Sequence, residues 1–179
     1  MKNVSIQYYV EGENEKKLVS IFKSDLRYIK PGKVQILNVL QNYITDAHIR
    51  TLKKGTIVVL VFDTDTGQAN ILNQNIKKLK ESSCVSKVIT VPQVPNLEGE
   101  LVRSCSIKSA LELLNSKSKK DFKSEFIHIT NLDVKLKEHN FKLTKFWDTQ
   151  PGKPYHHLKN DADEIKIYPN ARKKDTSRK

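Results

Sequence analysis

The chain has 179 residues, with 32 lysines and arginines against 20 aspartates and glutamates, for a formal charge of +12. That length suits one domain with a buried core, and the longest apolar run, Ile57 to Phe62, is far short of the ~20 residues a membrane span needs. Two cysteines, Cys84 and Cys105, are too few for a disulfide scaffold or a Cys-rich zinc site, and the basic excess favours a polyanionic partner, most simply nucleic acid. Glu11, Glu13 and Glu15 interrupt any apolar signal-peptide core near the N-terminus, so a cytoplasmic protein with reduced thiols is expected.

Val4 to Val10 carries Ile6, Tyr8, Tyr9 and Val10 and predicts a first strand. Asn14 is the expected N-cap of a helix whose apolar face is Leu18, Ile21, Phe22 and Leu26. After Pro31-Gly32, Val34 to Leu37 predicts a second strand. A helix is then expected over 38–53, with Val39, Leu40, Tyr43 and Ile44 on its apolar face.

Thr56-Ile57-Val58-Val59-Leu60-Val61-Phe62 is the strongest strand signal. It is continuous and largely β-branched, the pattern of a strand buried on both faces in a parallel sheet. It runs into Asp63-Thr64-Asp65-Thr66-Gly67. A helix is expected over 68–82, with Ile71, Leu72, Ile76 and Leu79 in register, and a fourth strand over Val85 to Val91, broken by Pro92 and Pro95. The strand–helix alternation predicts an α/β fold with a parallel sheet and helices on its faces. Beyond residue 100 the periodicity predicts helices over 97–115, 119–129 and 132–139. From Trp147 onward it is lost, and Arg172 to Lys179 forms a basic end. The chain contains no internal repeat.

Functional crevices of open α/β sheets lie beyond the carboxyl ends of the strands. Three predicted strands lead into acids there: Glu11 after the first, Asp63 and Asp65 after the third, Glu98 and Glu100 after the fourth. Two like charges about 4 Å apart repel by roughly 4 kcal/mol at an effective dielectric near 20. A basic protein that still gathers acids at one edge is expected to bind a cation there. In extended backbone, residues i and i+2 lie about 6.6 Å apart and point to one side, so Asp63 and Asp65 can serve one site. All-oxygen ligands select magnesium, manganese or calcium over zinc.

Tyr9-Val10-Glu11-Gly12-Glu13-Asn14-Glu15, followed about fifty residues later by Val59-Leu60-Val61-Phe62-Asp63-Thr64-Asp65, resembles the topoisomerase–primase (Toprim) domain. That family carries a Glu-Gly after its first strand and an Asp-x-Asp after its third. Glu15 and the acids after the fourth strand resemble the nuclease branch typified by the overcoming-lysogenization-defect proteins. The resemblance covers about residues 4–100. It implies a four-stranded parallel sheet and magnesium-dependent making or breaking of phosphodiester bonds. It divides the chain into a Toprim-like α/β core (1–105), a helical extension packed on it (106–145) and an irregular basic segment (146–179). Neither the ATPase loop of the large nucleases, nor the tyrosine domain of topoisomerases, nor the zinc module of primases is present. What remains is a stand-alone small form, such as occurs in ribosomal-RNA maturation or phage defence.

On this basis Asp63 and Asp65 are expected metal ligands, and Glu11 a ligand or the general base. Glu15 faces the same site from one helical turn on, and Glu98 and Glu100 complete a second metal position for magnesium, with manganese able to substitute. Two such metals supply a Lewis acid, an activated water and a stabilised leaving oxygen. Arg103, Lys117, Lys119, Lys120 and Lys123 are expected phosphate contacts, with ion pairing to Glu98 or Glu100 the alternative for Arg103 and a solvated helix face the alternative for the lysines. His156 and His157, with Asp161, Asp163 and Glu164, form a weaker candidate site. Cys105 reads as a buried structural thiol, and Trp147 and Tyr155 as anchors of the C-terminal segment or stacking platforms. The leading expectation is a magnesium-dependent nuclease acting on DNA or RNA. A non-catalytic nucleic-acid-binding or partner-regulating module is the alternative, and a nucleotidyl-transfer enzyme a third. A separate ATPase or a second copy of the chain is a possible partner, and no membrane is.

Overall fold

A computed structural model of the chain describes residues 4–168; the expected basic end, Arg172 to Lys179, lies outside the described residues. Four strands, β1 (Ile6–Val10), β2 (Lys33–Ile36), β3 (Thr56–Asp63) and β4 (Val85–Gln93), form one sheet in the order β2-β1-β3-β4, every pair parallel. The helices are α1 (Glu13–Ser24), α2 (Asp46–Arg50), α3 (Asn70–Glu81), α4 (Leu97–Ser104), α5 (Lys119–His128) and α6 (Leu132–Glu138), with 3-10 turns at Ala110–Leu113 and Ala162–Glu164. The expected α/β fold with a four-stranded parallel sheet and flanking helices is what forms.

The apolar run of β3 explains its central place. Val59 and Val61 enter one core with Tyr8, Val10, Ile89, Val91, Leu18 and Phe22. Val58, Leu60 and Phe62 enter a second core with Tyr9, Leu72, Ile76 and Leu79. Alternate side chains of a strand point to opposite faces, so a strand between two helical layers must be apolar at every position. The first core also takes in Phe122, Phe126, Leu132 and Leu136 from α5 and α6, and Trp147, Ala162 and Ile165 from the C-terminal segment.

Several boundaries differ from expectation. Gly12, not Asn14, is the N-cap of α1. The helix expected over 38–53 shrinks to α2. Asn38 Oδ1 accepts from the backbone N–H groups of Leu40 and Gln41, and such local bonding competes with a helix. Buried Asn75 of α3 then holds the loop, accepting from Ile44 N at 2.7 Å and donating to the carbonyls of Val39 and Asn42 at 2.9 Å. Val39, Leu40 and Ile44 still reach the second core, while Tyr43 is exposed. β4 continues through Pro92 to Gln93, because an edge strand tolerates a missing N–H. The helix expected over 97–115 ends at Ser104, whose hydroxyl donates back to the Glu100 carbonyl. Among the described residues, no helix is long and apolar enough to cross a membrane.

The C-terminal segment is irregular but anchored. Trp147 and Tyr155 are buried. Trp147 packs among Phe22 and Phe146, and the Tyr155 hydroxyl pairs with Thr66 Oγ1 at 2.8 Å. Both act as anchors, and neither offers a face on which a base could stack. Cys105 is buried, and that burial pushes its thiol up to about 11, which makes it a poor nucleophile or metal ligand. Asp161, Asp163 and Glu164 pair with Lys159, Lys166 and Lys87, and His157 pairs with Asn73. That set forms no shared site.

Candidate functional site

In the order β2-β1-β3-β4 the sheet's direction of growth reverses between β1 and β3, and it is at such a switch point that a crevice opens beyond the carboxyl ends. Glu11 leaves β1 and Asp63 ends β3 at this point. Glu11 Oε2 accepts from the Asp63 backbone N–H at 3.0 Å, and its Oε1 accepts from Asn38 Nδ2 at 2.6 Å. Glu11 thus joins the ends of both central strands to the loop after β2. Thr64 fixes the next turn: its N–H donates to the carbonyls of Gln93 and Pro95 at 3.1 and 2.7 Å, and its hydroxyl to Gln93 at 3.0 Å.

Asp63 is the most perturbed acid in this edge. Its Oδ1 is buried and has no hydrogen-bond partner. Burial first, then the charges of Glu11, Glu15, Asp65 and Glu98, push its carboxyl up to about 9. Burial also raises Glu15, with Glu11 and Glu98 adding to the effect. A cleft of about 230 Å³ opens here, lined among others by Gly12, Glu15, Asp63, Glu98 and Lys123. A Cβ on Gly12 would sit 3.2 Å from Glu15 Oε2, so glycine leaves room for that carboxylate. Asp65 is exposed, and its Oδ2 accepts from Asn96 Nδ2 at 2.9 Å. Asn96 also caps α4, accepting from Gly99 N at 3.1 Å. A Cβ on Gly99 would meet Pro95 Cδ at 2.6 Å, so glycine is what lets α4 start this close to the cleft.

Glu15, Asp63 and Glu98 therefore line one cleft, Glu11 and Asp65 act on Asp63 through their charge, and Glu100 does not join them. Glu100 is wholly buried, its Oε1 accepting from Val94 N at 2.9 Å and its Oε2 from Trp147 N at 2.8 Å, with Arg103 Nη1 2.8 Å away. The expectation that it ligates a metal beside Glu98 is corrected for a geometric reason. Two residues apart is the same side in a strand but about 200° around a helix, and both acids stand on α4. Arg103 is corrected with it: the guanidinium pairs with Glu100 and donates to the Val94 carbonyl, so it is engaged inward rather than with a phosphate. Of the lysines, Lys123 reaches the cleft, 3.9 Å from Glu98, while Lys117, Lys119 and Lys120 are exposed around the start of α5.

Among the described residues, no three His, Cys, Asp or Glu side chains are grouped as they would be around one metal ion. Magnesium is commonly held by one or two carboxylates plus substrate phosphates rather than by an all-protein cage. The buried, unpartnered oxygen of Asp63, surrounded by other carboxylates, is a donor set that fits such a cation. Sequence reasoning missed Asn38 and Asn96, which orient Glu11 and Asp65. Each is a lone polar residue just after a strand, a signal visible only once the strand ends are known to converge. Comparison with protein-family models, curated proteins and solved structures found no match.

Proposed function

We propose that the chain is a magnesium-dependent nuclease of Toprim type that hydrolyses phosphodiester bonds in DNA or RNA. The observation that carries this reading is Asp63 Oδ1, buried and without a partner on a half-buried residue that feels the charges of Glu11, Glu15, Asp65 and Glu98, in a protein of net charge +12. Structural acids are normally paired when buried; an unpaired one at a sheet's switch point is better explained by a bound cation. The Glu11-Gly12 and Asp63-Thr64-Asp65 motifs add support.

Asp63 and Asp65, with Glu98, would hold magnesium, which when bound polarises a phosphoryl oxygen and lowers the pKa of water. Both Glu11 oxygens already accept hydrogen bonds, so Glu11 positions the Asp63 backbone. Glu15 lines the cleft with a raised affinity for protons, the property needed in a side chain that takes a proton from an attacking water near neutral pH. Lys123 stands at the cleft to meet a phosphate.

The test is cleavage of labelled DNA, transfer RNA and ribosomal RNA by the purified chain with magnesium, manganese or chelator. Cutting of one class with metal and none with chelator is expected. The lack of a three-acid group among the described residues favours a second reading, a binding module without catalysis, which predicts binding and no cutting under all three conditions. In either case affinity should fall steeply with salt, with a log–log slope of about −0.7 to −0.9 per phosphate contacted. Affinity unchanged between low and physiological salt would exclude a polyanionic partner.

A further inference from the structure

A second cavity, of about 310 Å³, shares Glu98 with the acidic cleft. Its character is opposite. Val102 of α4, Ala110 and Leu111 of the 3-10 turn and Phe122 of α5 make it largely apolar, and Lys108 and Lys119 also line it. Glu98 belongs to both cavities. So does α5, which offers Lys119 to the apolar one and Lys123, one turn later, to the acidic one. Residues four apart share a helix face, so the two lysines stand on one face of α5, each lining one cavity.

The geometry points to a nucleobase pocket: the cavity takes one unstacked base of a single-stranded nucleic acid, next to the phosphate held at the acidic cleft. Neither a free cation nor a free phosphate suits an apolar lining, because each would lose its hydration without compensation. A nucleotide satisfies both cavities at once. Its base is a flat, largely apolar surface, and its phosphates are anions that Lys119, Lys108 and Lys123 can meet. The volume is at the low end for small-molecule sites, which suits one base rather than several. A base inside an intact duplex cannot enter without unpairing, at a cost of a few kcal/mol. The substrate is therefore single-stranded or locally unpaired.

This inference rests on the cleft's being the phosphodiester site, and binding in chelator separates the two. The full chain is titrated, without divalent metal, with a thymidine oligonucleotide, an abasic strand of equal length and charge, and a duplex. The thymidine strand should bind about tenfold more tightly than the abasic strand, the range expected for one stacked base, and more tightly than the duplex. Leu111→Trp, which fills the cavity, should abolish that preference while leaving affinity for the abasic strand and for manganese unchanged. Lys119→Ala should weaken both single strands equally. Equal affinity of the parent for base-bearing and abasic strands overturns the proposal. So does a folded Leu111→Trp variant that retains the preference. The parent's preference needs no variant, so a misfolded Leu111→Trp leaves the test decided. Base preference without cleavage in magnesium would sink the nuclease reading and keep the pocket.

Discussion

Asp63→Asn is expected to abolish metal-dependent cleavage and, in chelator at pH 7, to make the protein more stable. The folded chain holds the Asp63 carboxyl proton up to about pH 9, whereas an unfolded aspartate releases it near 3.9. Below about pH 4 both states are protonated and the residue is neutral in the balance. Between the two values the unfolded chain binds one proton fewer, so stability falls as pH rises across this window and levels off above the folded value. Asparagine carries no charge at any of these values. The variant should match the parent near pH 4 and gain on it steadily towards pH 8. Each pH unit crossed inside the window is worth at most about 1.4 kcal/mol, which for a chain of this size raises the melting temperature by roughly 3–6 °C. Activity should fall by orders of magnitude, because the cation supplies both the Lewis acid and the activated water. Thermal melting across pH 4–8, with parallel cleavage assays, checks both halves. An Asn variant that melts lower at pH 7 would make Asp63 a structural acid, and one that cuts at the parent's rate would remove it from catalysis.

Glu100→Ala should do the reverse: it should cripple folding and leave the chemistry of the folded fraction intact. Removing the carboxylate strips Val94 N and Trp147 N of their acceptor and leaves Arg103 without its ion partner. Breaking a buried pair by deleting one member costs about 3–5 kcal/mol, a large part of the roughly 5–15 kcal/mol that holds a typical domain together. Glu100→Gln keeps one acceptor oxygen and should cost less. Urea unfolding of both variants gives the ordering. A Glu100→Ala variant that unfolds like the parent yet fails to bind manganese would return Glu100 to the cleft.

The contrast between these two acids shows how far a sequence reading reaches and where it stops. Asp63 is legible because the run before it is apolar at every position, which only a central parallel strand explains, and the end of such a strand faces the crevice. Glu100 misleads because the Glu-x-Glu spacing means one face in a strand and opposite faces in a helix, and the start of α4 has to be known first. The loop over 38–45 reads as helix for a related reason. Val39, Leu40 and Ile44 do face a core, but what decides its backbone is Asn38 bonding locally and Asn75 reaching across from α3, contacts that for Asn75 span 31 or more residues of chain. Nothing in composition marks the pairing of Asn38 with Glu11 or of Asn96 with Asp65. The apolar cavity beside Glu98 is equally hidden, since it arises only where α4, the 3-10 turn and α5 meet.

The central claim is that Asp63 and the carboxylates around it hold a divalent cation. Calorimetric titration of manganese into the parent and into Asp63→Asn at pH 7, in two buffers of different ionisation heat, tests it directly. Ligands must be deprotonated to bind metal, and Asp63 is protonated in the metal-free fold at this pH. The parent should therefore bind manganese with release of about one proton, and the Asn variant should show no binding in the same range. A parent that takes up no manganese, or a variant that binds it equally well, would contradict the claim.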